Sequence, residues 1–283
     1  MLMDKETALI TGGTSGIGKK LAERFLIEGC KVAICSRSEE HVNSTVDELK
    51  ERFRDRIIGF PCDVSDIASV QDAVNKTIET FGSLRILVAN AGLNSHYGPF
   101  RYFTPDQVTE DAKLVLGANL VGMMNSVHSV LPQMLEQKYG RIITLTGGGA
   151  DRPLEYMTIY SASKGGVVAF SRCLATELKQ EDADIKINIL QPGMQRTGLT
   201  TGPTRASMVS GWKSNQDIEK QMKIVLENLG GDLDLVATKV IPYVLPSCNK
   251  SGERIMGFSL RKLIKGVRKM RKLQKQLEKE QKA

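Results

Sequence analysis

Thr7-Ala8-Leu9-Ile10-Thr11-Gly12-Gly13-Thr14-Ser15-Gly16-Ile17-Gly18 decides the fold. A short apolar run passes into a glycine turn, and the pattern that follows, Leu21, Ala22, Phe25 and Leu26, has helical spacing. Strand, turn and helix in that order suit a pyrophosphate. The glycines let the backbone turn sharply and approach closely, and the helix N-terminus offers free N–H groups and a partial positive charge. Gly12, Thr14, Ser15, Gly16, Ile17 and Gly18 are the first candidate cofactor-binding residues.

The alternation continues outward. The strand at 31–35 ends in Ser36-Arg37. An NAD site usually carries an acidic side chain about twenty residues past the glycines. Ser36 holds that place here, and Arg37 matches a 2′-phosphate in charge and geometry, which favours NADP(H); the plain alternative is a solvated arginine. A charged amphipathic segment, 39–54, precedes a strand at 57–60 and then Cys62-Asp63-Val64. Asp63 is placed to accept from an adenine amino group or, with Ser65 and Asp66, to cap the next helix, 66–81. The strand at 84–88 leads to Ala89-Asn90-Ala91-Gly92, small residues that let a cofactor lie against the backbone.

Residues 106–138 read as one helix with Asn119 inside it, where asparagine bonds locally or serves a polar function. A strand at 141–145 ends in Thr146-Gly147-Gly148-Gly149-Ala150, a helix runs from Tyr160 to about Leu178, and a strand at 185–190 ends in Gln191-Pro192-Gly193. Six strands alternating with helices predict an α/β fold: a doubly wound parallel sheet in a single domain, residues 1–258.

Residues 93–104 hold an unusual share of the chain's few aromatics, and 194–216 have the length and composition of a mobile lid. Tyr97, Phe100, Tyr102, Phe103, Leu154, Tyr156, Met157, Met194 and Trp212 are candidates to line an apolar pocket, with Arg152 and Arg196 as candidate anchors for an acidic group. His96 has no evident partner nearby and reads as a surface or pocket-lining histidine.

The chemistry-bearing stretch is Tyr160-Ser161-Ala162-Ser163-Lys164. Positions i and i+4 share a helix face. The lysine charge should pull the phenol's pKa toward working pH and make Tyr160 a usable general acid/base.

Together these features resemble the short-chain dehydrogenase/reductase family. The matches are Thr11-Gly12-x-x-x-Gly16-x-Gly18, Asp63, Asn90-Ala91-Gly92, Asn119, Tyr160-x-x-x-Lys164 and Pro192-Gly193-x-x-x-Thr197, in the family's order and spacing over residues 4–258. The resemblance implies a Rossmann-type fold, NADP(H) as cofactor, and hydride transfer to or from a small carbonyl or secondary alcohol. It gives Tyr160 the hydroxyl proton, Lys164 the nicotinamide ribose, Asn119 a proton-relay water, Pro192-Gly193 the nicotinamide face and Thr197 its carboxamide. It also implies a homo-oligomer, dimer or tetramer. A dinucleotide-binding regulatory or scaffold protein is the alternative.

One position departs from the pattern. Family members carry a serine thirteen residues before the tyrosine, and here that residue is Gly147. Thr146 has suitable chemistry to hold the reacting oxygen, and the glycines after it leave the loop free to turn it toward the substrate; their own N–H groups are another source of donors.

Five cysteines, odd in number and without C-x-x-C spacing, read as reduced core thiols, and no metal site is expected. The start of the chain leaves no room for a secretory signal and no run of about 20 apolar residues is evident, so a cytoplasmic location is expected. The net charge of +7 is uneven: residues 259–283 hold ten Lys/Arg against two Glu, and the remainder is nearly neutral, so nucleic-acid binding is not expected. That basic amphipathic tail should form a helix that docks on the body or a partner subunit, or meets an anionic membrane surface. Leu260, Leu263, Val267, Met270 and Leu277 define its seam, which Gly266 weakens.

Overall fold

The computed structural model describes residues 1–151, 154–201, 207–212, 215–259, 261 and 264–270. The first half comprises β1 (Thr7–Thr11), α1 (Gly16–Ile27), β2 (Lys31–Ser36), α2 (Glu39–Phe53), β3 (Ile57–Pro61), α3 (Ile67–Phe81) and β4 (Ile86–Ala89). After the short β5 (His96–Tyr97), α4 (Pro105–Asp111) runs through a π-helical stretch, Ala112–Val121, into α5 (Gly122–Glu136). Then come β6 (Tyr139–Leu145), α6 (Thr158–Glu177), β7 (Asp184–Gln191), α7 (Gly198–Thr201), β8 (Ser207–Met208), α8 (Asn215–Leu229), α9 (Leu233–Val244) and β9 (Arg254–Met256).

Helix starts follow local chemistry. Ser38 accepts from His41 N–H and Asp66 from Ala68 N–H, which satisfies otherwise orphaned donors at the first turns of α2 and α3. Thr104 and Gln107 form a reciprocal capping box with Pro105 at the first position of α4.

The predicted doubly wound sheet is present, with seven parallel strands in the order β3-β2-β1-β4-β6-β7-β9. Both faces are covered, so β1 and β6 are buried along their whole length. Alternate residues serve the two layers: Ala8, Ile10, Val32 and Ile34 pack with α1, α2 and α9, while Leu9, Ala33 and Cys35 pack with α3, α5 and α6. Strand order reverses between β1 and β4, which opens a crevice at their C-terminal ends.

Several elements differ from the sequence reading. The helix expected at 106–138 is wound more loosely over its π-helical stretch, which carries Asn119. Taken as a whole, Pro105–Glu136 is long and apolar enough by length and composition to cross a membrane, contrary to the reading that no such run exists. In this fold it packs against α3, α6 and β6. Helices α8 and α9 carry apolar residues at helical spacing that the sequence reading passed over, whereas the small parallel pair β5–β8 has no periodic signal because its pairing depends on tertiary contacts.

The region expected to be a lid holds α7 and β8; 202–206 and 213–214 lie outside the described residues. Residues 264–270 of the tail are helical, while Leu260, Leu263 and 271–283 also lie outside them. Gly266 is a close-approach point: a Cβ there would sit 2.3 Å from the Asn228 carbonyl oxygen and 2.6 Å from Leu229 Cδ2. The glycine that weakens the tail's helix propensity thus lets it lie against the end of α8.

Arg141 secures the end of the sheet opposite the crevice. Its fully buried guanidinium donates to Asp184 Oδ2 and the Asp184 carbonyl, each at 2.7 Å, and to the Pro246 carbonyl at 3.1 Å. Arg141→Met fills similar space without donors and loses these bonds, although the exposed Asp184 and Pro246 can turn to water; it should cost about 2 kcal/mol in urea unfolding. Unchanged stability would contradict this role.

Candidate active site

The crevice between β1 and β4 is shaped by the absence of side chains. Gly12 has φ +65°, and a Cβ there would lie 2.9 Å from Asn90 Nδ2 and 3.0 Å from Ala91 Cα. A Cβ on Gly18 would come within 2.2 Å of the Gly12 carbonyl oxygen, so α1 meets the turn backbone to backbone. Ser15 caps α1 in an extended conformation with no side-chain cap bond. The Thr14 carbonyl accepts from Thr45 Oγ1 at 3.3 Å, and Ile17 packs on the core layer beneath. Across the crevice, Thr197 places its methyl 3.1 Å from where a Gly16 Cβ would stand.

Asn90 braces this turn from β4. Its Nδ2 donates to the carbonyls of Thr11 at 2.8 Å and Gly12 at 2.9 Å, while the N–H groups of Asn90 and Ala91 donate to Thr11 Oγ1, each at 3.1 Å. At the other end, Ser36 is half-buried and Arg37 is exposed between the end of β2 and the cap of α2. Asp63 forms a local turn, accepting from Ser65 N–H at 2.9 Å and Ser65 Oγ at 2.7 Å. Partial burial opposes its ionisation, but the Ser65 bonds and the Arg37 charge hold it below the usual carboxylate range. Asp66 is the residue that caps α3. Val64 is core, with its carbonyl held by Asn125 Nδ2 at 2.9 Å.

The second cluster lies where β4 and β6 end and α6 begins. Asn119 Oδ1 accepts from Leu93 N–H at 2.7 Å, and its Nδ2 donates to the Leu93 carbonyl at 2.9 Å and to Ser163 Oγ at 3.0 Å. Ser163 Oγ in turn donates to the Tyr160 carbonyl at 2.6 Å. A Cβ on Gly92 would lie 2.8 Å from Asn119 Oδ1 and 3.3 Å from Lys164 Nζ, which brings three sequence candidates to one point. Lys164 Nζ donates to the Leu145 carbonyl at 3.1 Å and stands 5.8 Å from the Tyr160 ring centre.

Electrostatics here differ from expectation. Burial pushes the Tyr160 phenol up to about 12 and the Lys164 ammonium down to about 8. The expected lowering of the phenol by its neighbour is outweighed by desolvation of both groups. At neutral pH the phenol is a proton donor and the lysine retains its charge.

Thr146 is turned toward α6. Its hydroxyl donates to the Lys164 carbonyl at 3.3 Å, and its N–H to the Leu190 carbonyl at 3.0 Å. Strand alternation puts residues 144 and 146 on the α6 side, where Thr144 meets Ser171 Oγ at 2.8 Å. The residue beside the phenol is Gly147, whose Cβ would lie 2.6 Å from Tyr160 Oη.

Gly193 has φ +74°, with the Phe258 ring 2.8 Å from where its Cβ would stand. His96 does have a partner: its Nδ1 lies 2.7 Å from Oδ1 of the buried Asp111. A separation of 15 positions concealed this pair in the sequence. Tyr97, Tyr156 and Trp212 form a ring cluster with centres 4.5–5.9 Å apart, tied to the lid region by the β5–β8 pair. Arg152 lies outside the described residues. Sequence reasoning also missed Ser163, although it stands inside the Tyr160–Lys164 stretch.

Residues 6–206 match the family model described as short chain dehydrogenase. The chain belongs to the short-chain dehydrogenase/reductase family. It is 32% identical over 83% of its length to a chloroplastic chlorophyll(ide) b reductase of Arabidopsis thaliana, but spans only 64% of that protein. It is 35% identical to a putative ketoacyl reductase of Streptomyces coelicolor, over 69% of this chain and 73% of that one. A 3-ketoacyl-(acyl-carrier-protein) reductase of Brucella melitensis, solved with NADH, superimposes with a TM-score of 0.75 at 26% identity, covering 90% of this chain and 97% of that one. Family membership makes the chain an NAD(P)-dependent oxidoreductase.

Lys164 should limit stability. Its folded pKa of about 8 lies below the ordinary 10.5, so the buried charge costs stability at pH 7, and the cost is relieved as pH rises from about 8 to 10.5. At about 1.4 kcal/mol per unit the penalty is roughly 3 kcal/mol, less about 1 for the Leu145 carbonyl left unpaired in a variant. Lys164→Met should therefore be about 2 kcal/mol more stable than wild type at pH 7, with the gap closing near pH 10. Urea titrations at both pH values would show it, and a less stable variant at pH 7 would contradict it.

Proposed function

We propose that the chain is an NADP(H)-dependent oxidoreductase that interconverts small ketones and secondary alcohols, with Tyr160 as general acid/base. The observation that carries this reading is the convergence of Tyr160, Lys164, Asn119 and Gly92 at the mouth of the β1–β4 crevice. The glycine turn fits a nicotinamide dinucleotide, since Gly12 and Gly18 let strand, turn and α1 pack backbone to backbone and Gly16 adds no side chain on the side facing Thr197. When bound, that group supplies or accepts the hydride at the carbon; the chain's residues manage the oxygen and its proton.

In the reducing direction Tyr160, protonated at neutral pH, donates its hydroxyl proton to the carbonyl oxygen as charge develops there. Lys164 holds positive charge beside the phenol and stabilises the phenolate that results. Asn119 and Ser163 fix the start of α6 against the end of β4, so the phenol is held in register with the crevice. Thr146 acts from behind, bonded to the Lys164 backbone. Pro192-Gly193 and Thr197 would flank the nicotinamide; Ser36, Arg37, Asp63, Val64 and Asn90-Ala91-Gly92 would flank the adenosine half and the bridging segment.

Other parts of the reading rest on separate features. The β5–β8 pair supports a substrate lid over 194–216. Leu114, Val121 and Leu135 are exposed along the helix Pro105–Glu136, an apolar surface suited to a second copy of the chain. The Gly266 contact supports docking of the tail on the body, with exposed Lys265, Arg268 and Lys269 available to an anionic lipid surface. Gly147 at the position of the family's serine favours a second reading, a dinucleotide-binding regulator; tight NADPH binding without turnover of any carbonyl on a broad panel would support it.

Arg37→Ala should weaken NADPH binding roughly 10- to 100-fold, the worth of a charge-assisted contact, and leave NADH binding within about 3-fold. Fluorescence titration of both cofactors measures this. Equal loss for both, or none for NADPH, would sink the 2′-phosphate assignment.

A further inference from the structure

The glycine run 147–149 is unusual in what surrounds it. Gly147 approaches the phenol so closely that a Cβ would lie 2.6 Å from Tyr160 Oη and 3.3 Å from two of its ring carbons. Gly149, at φ +90°, lies against the next residue of α6, with a Cβ position 2.0 Å from Ser161 Oγ. The run is pinned at both ends. Thr146 bonds through its hydroxyl to Lys164 and through its N–H to Leu190, and Asp151 pairs with Arg254 of β9, whose Nη2 donates to Asp151 Oδ1 at 2.9 Å.

Two consequences follow. The backbone, with no intervening side chain, forms the wall beside the phenol oxygen. Moreover, among the described residues neither Gly147 N–H nor Gly148 N–H has a hydrogen-bond partner. Gly148 is exposed and Gly147 half-buried, so both donors can meet a ligand. The nearest side-chain hydroxyl in the strand, that of Thr146, is committed to α6.

Resting on the proposed reductase reading, we infer that the peptide N–H groups of Gly147 and Gly148 form the oxyanion cradle. They hold the substrate carbonyl oxygen against Tyr160 in place of a side-chain hydroxyl. A backbone cradle needs no rotamer to be fixed, and its dipoles are oriented before the charge develops. It also accords with glycine at 147, because a Cβ there would stand 2.6 Å from Tyr160 Oη and the phenol would have to shift from the place it holds here. The bonds balance simply: the oxygen accepts from the two N–H groups throughout, gains the Tyr160 proton, and leaves as a neutral hydroxyl.

The test uses the full chain with NADPH and whichever ketone of a panel it reduces fastest. NADPH affinity and circular dichroism are measured for every variant. Gly148→Pro removes one donor and should lower kcat about 100-fold with NADPH affinity unchanged, while Gly148→Ala, which keeps the N–H, should stay within about 5-fold. Gly147→Ser should lower kcat at least 10-fold, since its Cβ displaces the phenol. A gain of activity in Gly147→Ser would overturn the inference, as would a well-folded Gly148→Pro with normal turnover. Wild type that binds NADPH but reduces no ketone would overturn the reductase reading itself, an outcome distinct from the variant pattern.

Discussion

A single asparagine side chain satisfies both peptide groups of Leu93 and still reaches Ser163. The geometry around the proton donor depends on that clamp. Leu93 lies just past the end of β4, where the chain would otherwise leave a partly buried N–H and C=O without protein partners. Asn119 supplies them from the neighbouring helix, in its π-helical stretch, where the wider turn is compatible with a polar side chain bonding away from its own backbone. Through Ser163 the same side chain fixes the Tyr160 carbonyl, so strand end, π-helix and α6 become one rigid corner.

Within that corner two ionisable groups are buried, and each is shifted toward its neutral form. Such a site is costly to fold and useful for chemistry. The phenol keeps its proton until an oxygen arrives to take it, and the lysine is placed to stabilise the resulting charge. The bond from Lys164 to the Leu145 carbonyl and the bond from Thr146 to the Lys164 carbonyl stitch α6 to β6 from both directions, which holds the ammonium within reach of the phenol.

Much of this was legible in the chain. The strand–turn–helix at Thr7–Gly18, the alternation of strands and helices and the Tyr160/Lys164 spacing are local signals, and the expectation of a doubly wound parallel sheet followed from them. Asp63 and Asp66 were separable only in three dimensions, where one makes a turn and the other a cap. Thr146 and Gly147 were likewise separable only in three dimensions: the Thr146 hydroxyl bonds the Lys164 carbonyl, while Gly147, past the end of β6, takes the position beside the phenol. The His96–Asp111 pair, the β5–β8 ladder and the seat of Gly266 on α8 all join residues distant in sequence, and no local periodicity encodes them.

The central claim is that this corner performs proton-coupled reduction. It is tested most directly with NADPH deuterated at the transferring position of nicotinamide C4, mixed with protein and a ketone panel and followed by mass spectrometry of the alcohols. Wild type should deliver deuterium to the carbinol carbon, and Tyr160→Phe, binding NADPH equally well, should deliver at least 100-fold less. Equal transfer by both proteins, or none by wild type at saturating NADPH, would contradict it.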